Sequence, residues 1–311
     1  VLLFVGGLFQ INRTSSEPGK TVRVVAVQPS VPQTLIWSAS ADEKRFSELL
    51  FVSQRAMTNQ PDLLLWPESA VPMFDGVYNL ISDFAPSNHV AIIFNGDDAE
   101  LHPAATNYFN SAFLVRPDGK CAGVYHKQKL VIFGEYIPLV RWLPFLKWFT
   151  PITDGWTPGD HAVTFTAEKF SAAPLVCFED VFPGVARQAV ADDADFLVNL
   201  TNDGWFGDSA EQWQHLANAV FRSVENGVPL VRCANNGIIG WIDAHGRVQQ
   251  IFRDAAGSEY AAGVAVMEIP LRTETAKSAA TYYHRHGDVF ALVCVALTAI
   301  SFGASRRQRR G

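Results

Sequence analysis

The feature that most constrains this chain is the rhythm of its short apolar runs, some joined by helix-length stretches and others by tight turns. Thr21 to Gln28 (TVRVVAVQ) has the β-branched content of a strand. Asp62 to Trp66, closed by Pro67, reads the same way, as do His89 to Phe94, Ala194 to Leu200, Pro229 to Ala234 and Ala262 to Ile269. Between them, Phe46, Leu49, Leu50 and Val52 give Ala41–Thr58 helical spacing, and Tyr78–Phe84 and Ser209–Asn226 also read as helices. Pro117-Asp118-Gly119 and Asp243 to Gly246 each punctuate a pair of strands as a hairpin would. Such a mixture predicts an α/β chain with a mixed sheet, or a pair of sheets, covered by helices. At 311 residues it is long enough for one large domain or two modest ones, and no internal repeat divides it.

Composition narrows the function classes. With 48% hydrophobic and 18% charged residues the chain is globular, leaning apolar. A net charge of −6 and the lack of a basic stripe argue against nucleic acid as a partner. The four cysteines, at 121, 177, 233 and 294, form no C-x-x-C pair, so neither a zinc site nor a disulfide scaffold is indicated; a Cys121–Cys233 bridge stays open. There is no H-E-x-x-H and no G-x-x-x-x-G-K-[ST], so no metal or nucleotide cofactor is expected.

The ends differ from the middle. Val289 to Gly303 is uncharged and apolar, Ala304 and Ser305 extend it, and Arg306, Arg307, Arg309 and Arg310 follow. We expect a transmembrane helix over 287–305 with a basic cytoplasmic tail at 306–311; a buried core helix is the alternative. His284 and His286, flanking Arg285, read as interfacial polar residues. Residues 1–12 (Val1 to Phe9 being VLLFVGGLF) are too short to span and lack a basic leader region, and are expected to be the end of a preceding transmembrane helix. The intervening 20–272 would form the principal domain. Within it Arg141 to Phe149 (RWLPFLKWF) combines aromatic and basic residues; it reads either as a segment dipping into lipid or as an amphipathic core helix.

Three residues carry candidate chemistry. The apolar run Ala173–Val176 ends at Cys177, with Glu179, Asp180 and Pro183 following, so a buried strand would present a thiol at its end. Only a thiolate attacks, so Cys177 needs a base or a cation beside it; otherwise it is an inert core thiol. Glu68, after Leu63–Pro67, is a carboxylate at a strand end, suited to act as a base once partly buried, or to satisfy a helix start. Lys127 follows a hairpin strand and could stabilise an oxyanion, but Lys129 lies two residues on and spacing does not choose between them. Glu135 would orient a lysine or end a turn. Together they supply a base, a cation and a nucleophile.

Trp66–Ser69 (WPES), Tyr125–Pro138 (YHKQKLVIFGEYIP) and Cys177–Pro183 (CFEDVFP) closely resemble the three catalytic blocks of the nitrilase, or carbon–nitrogen hydrolase, superfamily. That resemblance, over about residues 22 to 270, implies a four-layer αββα sandwich. It also implies Glu68 as base, Lys127 as oxyanion stabiliser, Cys177 as nucleophile, and Glu135, Phe178 and Glu179 as accessory residues. Within the superfamily the chain looks most like the apolipoprotein N-acyltransferase branch. Gln28–Gln33 with Trp37, LVIFGEYIPL, and Leu200–Asp208 (LTNDGWFGD) with Gln212–His215 carry that likeness; Ile132 for Pro and Phe178 for Tyr depart from it. What it implies is a monomeric bacterial inner-membrane enzyme facing the periplasm, without cofactor, moving an acyl chain from a phospholipid through a cysteine thioester to a diacylglyceryl apolipoprotein. Trp37, Trp142 and Trp205 would then contact substrate. The rival readings are a membrane-tethered amidase with the same triad and a non-catalytic binding module.

Overall fold

The computed structural model describes residues 19–308 apart from 73, 102–105, 141, 151–154, 191–193 and 274–279. The first sheet takes β1 (Thr21–Gln28), β2 (Leu63–Leu65), β3 (Ala91–Leu101), β4 (Thr106–Val115) and β5 (Cys121–His126). The second takes β6 (Phe165–Thr166), β7 (Ser171–Val176), β8 (Phe196–Thr201), β9 (Leu230–Ala234), β10 (Gly240–Ile242) and β11 (Val248–Ile251); β12 (Gly263–Pro270) returns to the first. The orders are β12-β1-β2-β3-β4-β5 and β11-β10-β9-β8-β7-β6. Each sheet has a parallel triple at its centre, β1-β2-β3 and β7-β8-β9, with antiparallel strands outside it.

Side-chain alternation explains the layers. In β1, Val22, Val24 and Ala26 face the second sheet, whereas Val25 and Val27 face the helices α1 (Asp42–Ala56) and α2 (Val77–Asn88) through Phe46, Leu49, Val77 and Ile81. On the far side, α3 (Pro183–Ala189) and α4 (Glu211–Asn226) cover the second sheet through Val185, Ala186, Leu216 and Ala219. The result is the four-layer αββα sandwich that the resemblance implied. The central strands are buried on both faces, so Leu63-Leu64-Leu65 is continuous rather than alternating. Pro174 is tolerated inside β7 because the short β6 pairs only with Ser171 and Ala172, leaving no ladder donor to be lost at 174.

Two alternatives left open by the sequence are closed. Cys121 is exposed, Cys233 is buried, and all four cysteines are free. The Arg141–Phe149 segment is not a core helix: Arg141 lies outside the described residues, Pro144–Phe149 is a 3₁₀ turn, and Trp142 and Trp148 are 81% and 85% exposed. Its proline and lack of a continuous helical frame leave the Trp142, Phe145 and Trp148 rings outside the core. At the C-terminus α5 (Val289–Gln308) stands clear of the sandwich; its Val289–Arg306 stretch has mean hydropathy 1.8, none of it is buried, and it is long and apolar enough to cross a membrane. The helix runs through Arg306, while Arg309 and Arg310 and the expected remnant at 1–12 lie outside the described residues.

Candidate active site

The parallel triples end on one side of the molecule, where open α/β sheets place their sites. β2 ends just before Trp66-Pro67-Glu68, β7 delivers Cys177, and β8 delivers Asn202. β5 continues into Lys127, whose backbone N–H donates to the Asn110 carbonyl (2.9 Å).

The charged centre is fully wired. Lys127 Nζ donates to Glu68 Oε1 (3.2 Å) and Glu135 Oε1 (2.8 Å). Asn110 Nδ2 bridges the same two carboxylates, at 3.1 and 2.9 Å. Glu68 Oε2 accepts the Asn202 backbone N–H (3.1 Å), and Glu135 Oε2 accepts that of Val131 (2.8 Å). Behind them Asn95 Nδ2 donates to Asn110 Oδ1 (2.6 Å), and Asn95 Oδ1 accepts the Ser69 N–H (3.0 Å), which orients both amides. Glu68 and Lys127 are buried. Burial works against the Lys127 charge, but the Glu68 and Glu135 carboxylates outweigh it and hold the ammonium protonated. Lys129 points elsewhere, its Nζ 5.9 Å from the Phe182 ring centroid, so geometry chooses the lysine that spacing could not.

Cys177 sits at the β7 terminus with φ +52°, a left-handed conformation that a non-glycine residue adopts at a penalty of about 1–2 kcal/mol. Its carbonyl accepts from Asn199 Nδ2 (3.2 Å) and faces His215 Nε2 (3.3 Å). Burial and the Glu68 carboxylate push its thiol well above the ordinary range, and Lys127 offsets this only in part. The lysine therefore does not supply a standing thiolate; a thiolate requires transfer of the proton to a base.

The accessory residues divide. Glu135 holds Lys127, and Phe178 lines the cavity, edge-on to Phe182 at 5.0 Å. Glu179 points away from the cavity and is fully buried: its carboxylate accepts the Tyr125 hydroxyl (2.9 Å) and the backbone N–H groups of Gln128 (2.7 Å), Lys129 (3.1 Å) and Val176 (2.8 Å). It thereby ties the Lys127 turn to the Cys177 turn. Burial raises its pKa, against those donors.

A second buried cluster supports the Cys177 turn from below. Arg232 in β9 reaches Asp203 Oδ2 (2.6 Å) and Asp180 Oδ2 (3.3 Å). His215 on α4 lies between Asp180 Oδ1 (2.8 Å) and Asp203 Oδ1 (2.9 Å). Burial and Arg232 oppose the His215 charge, but the two aspartates prevail and raise its pKa to about 9; Arg232 and His215 hold Asp203 down at about 2 despite its burial. Ligand atoms of Asp203, Glu211 and His215 lie within 4.8 Å of one another, but Arg232 and His215 already occupy the Asp203 oxygens, so the group is an ion-pair network. The sequence reading missed the roles of Asn95, Asn110, Asp180 and Arg232. One signal was available: Arg232 inside Leu230–Ala234 is a charge in a buried strand, which demands partners.

These groups open into a cavity of about 780 Å³ lined by Glu68, Lys127, Glu135 and Cys177 and, towards solvent, by Trp37, Phe178, Trp205 and Phe206. Trp37 and Trp205 are 67% and 57% exposed, with ring centroids 6.3 Å apart. Trp142 is not among the lining residues.

A two-sheet sandwich with a Glu–Lys–Cys constellation at its strand ends defines a class, and the comparison agrees: residues 21–275 match the family model of the carbon-nitrogen hydrolases, and the chain belongs to that family. It is similar to the apolipoprotein N-acyltransferase of Geobacter metallireducens, at 34% identity over 301 residues, 94% of this chain and 55% of that protein. Those of Rickettsia typhi (31%, covering 80% and 51%) and Pseudomonas aeruginosa (35%, covering 74% and 45%) are similar too. The chain thus spans about half the length of the curated relatives it matches. Among solved structures, an amidase mutant from Nesterenkonia sp. AN1, showing a covalent adduct at its active-site cysteine, shares the fold at TM-score 0.60 and 16% identity, covering 83% of this chain and 94% of that one. A carbon-nitrogen hydrolase from Helicobacter pylori G27 does so at TM-score 0.61 and 15% identity, covering 83% and 92%.

Proposed function

We propose that this chain is the catalytic part of an apolipoprotein N-acyltransferase. The observation that carries the reading is the opening of the Glu68–Lys127–Cys177 centre into a large cavity rimmed by exposed aromatic rings, in a chain that also carries a freestanding apolar helix. A soluble amide substrate needs neither. Residues 20–272 are the catalytic domain, 287–305 span a bacterial inner membrane and 306–311 lie on its cytoplasmic side. The domain faces the periplasm, in a monomer whose full length crosses the membrane several times.

In this mechanism Glu68 takes the thiol proton as Cys177 sulfur adds to the acyl ester of a phospholipid. Lys127 and backbone N–H groups around Phe178 stabilise the oxyanion. Collapse breaks the ester C–O bond; the lysophospholipid oxygen takes the proton from Glu68 and a thioester remains. The α-amine of a diacylglyceryl-cysteine polypeptide then attacks, Glu68 accepts its proton, the C–S bond breaks and the proton returns to sulfur. Incubation with phospholipid vesicles should add one acyl mass to Cys177 and release lysophospholipid. Lysophospholipid release at the wild-type rate by Cys177→Ala protein would overturn the reading. Loss of the adduct to water as fast as to amine would favour an amidase-like hydrolase instead.

A further inference from the structure

Pairing the charges around the cavity leaves two carboxylates without a close partner, Glu211 and Asp97. Asp42 is paired with Arg45 (3.1 Å), Glu68 and Glu135 share Lys127, and Asp203 is held by Arg232 and His215. Glu211 stands 3.9 Å from a His215 nitrogen already held by Asp203, its Oε2 buried without a partner among the described residues, and belongs to that cluster rather than to the Glu68–Lys127 centre. Asp97 also lines the cavity, and its carboxylate has no hydrogen-bond or ion-pair partner among the described residues. Its place is fixed by the sheet. Ile93, Asn95 and Asp97 alternate onto the inner face of β3, and Asp97 lies directly across the ladder from Asn110, the amide that bridges Glu68 and Glu135. Side chains so paired start about 5 Å apart, so Asp97 stands one side chain from the reacting centre.

Burial raises the Asp97 carboxyl to about 6, which leaves it mostly ionised at neutral pH. Burial disfavours an anion that has no partner among the described protein groups, and a cationic ligand would offset that penalty. The centre already has two carboxylates against one ammonium. An anionic phosphodiester entering alone meets net repulsion; one that brings its own ammonium does not.

We infer that Asp97 forms a primary-ammonium subsite in this cavity, pairing with a ligand –NH₃⁺ group. Within the acyl-transfer reading, on which this choice of sources rests, the ammonium comes either from an ethanolamine headgroup on the donor lipid or from the α-ammonium of the acceptor. The test compares wild-type and Asp97→Asn chains, helix included, with phosphatidylethanolamine vesicles, phosphatidylglycerol vesicles and a synthetic diacylglyceryl-cysteine peptide. If the headgroup is read, Asp97→Asn lowers the ratio of Cys177 loading from ethanolamine lipid to loading from glycerol lipid by about tenfold or more. If the acceptor is read, that ratio holds, and the KM for the peptide in the transfer step rises by a similar factor. Equal loading and transfer in both proteins, or equal slowing with every substrate, overturns the subsite. A binding arm separates this from failure of acyl transfer itself. In Cys177→Ala protein, hexylammonium should bind about tenfold more weakly once Asp97→Asn is added, while hexanol binding is unaffected; equal hexylammonium binding overturns the subsite even if no lipid is ever turned over.

Discussion

At Glu68 both carboxylate oxygens accept, Oε1 from Lys127 and Asn110 and Oε2 from the Asn202 backbone N–H, so a glutamine keeps the first two bonds through its amide oxygen and loses only the one from Asn202. Glu68→Gln should therefore fold normally and fail at the proton transfer that the raised Cys177 pKa makes necessary; we expect acyl-adduct formation to fall at least about a hundredfold, read by intact mass. His215 gives a pH prediction. Its folded pKa, about 9, is above the unfolded value, so the stability it contributes is fully present below about pH 6.5 and is lost as pH rises through 9. The urea midpoint should fall between pH 6.5 and 9.5, and His215→Gln should remove most of that slope. Arg232→Ala would leave Asp180 and Asp203 buried without their guanidinium, and should destabilise by about 3–5 kcal/mol.

At the scale of elements, legibility followed the strands. Glu68 and Cys177 were readable because each directly follows an uninterrupted apolar run, and a polar residue there must sit at a sheet end. Spacing did not separate Lys127 from Lys129, a choice made only by the family blocks, because the turn after β5 takes its direction from Glu179, some fifty residues on in sequence. Asn95 and Asn110 were invisible for a related reason: their function comes from β3–β4 register, and single amides in strands carry no periodic signal. The 141–149 segment kept both its readings open because aromatic content fits core and interface alike; only the 3₁₀ geometry separated them. Trp142 and Trp148, exposed and off the cavity, suit contact with a lipid surface. Replacing both with Ser should slow Cys177 loading from vesicles about tenfold and leave loading from detergent-dispersed lipid and the urea midpoint unchanged.

For the whole molecule, sandwich and terminal helix are energetically separate. The Val289–Arg306 side chains are solvent-facing, whereas the preceding turn is anchored through Arg187 Nε to the His284 carbonyl (2.7 Å) and His284 to Asn226 (3.1 Å). A chain ending at Gly287 should keep its denaturation midpoint and lose co-sedimentation with vesicles. The αββα architecture was readable as strands, helices and hairpins, but two sheets rather than one became readable only through the family blocks, since periodicity does not say which strands are neighbours.

The left-handed backbone at Cys177 bears on inheritance as well as chemistry. Glycine is the residue at ease in that conformation, so Cys177→Gly should be sturdier than Cys177→Ala by about 1 kcal/mol. A lineage released from the need for the thiol would meet little resistance at this position. Selection for a durable fold cannot maintain a cysteine there, so its persistence in a working gene would have to be renewed by demand for the reaction alone.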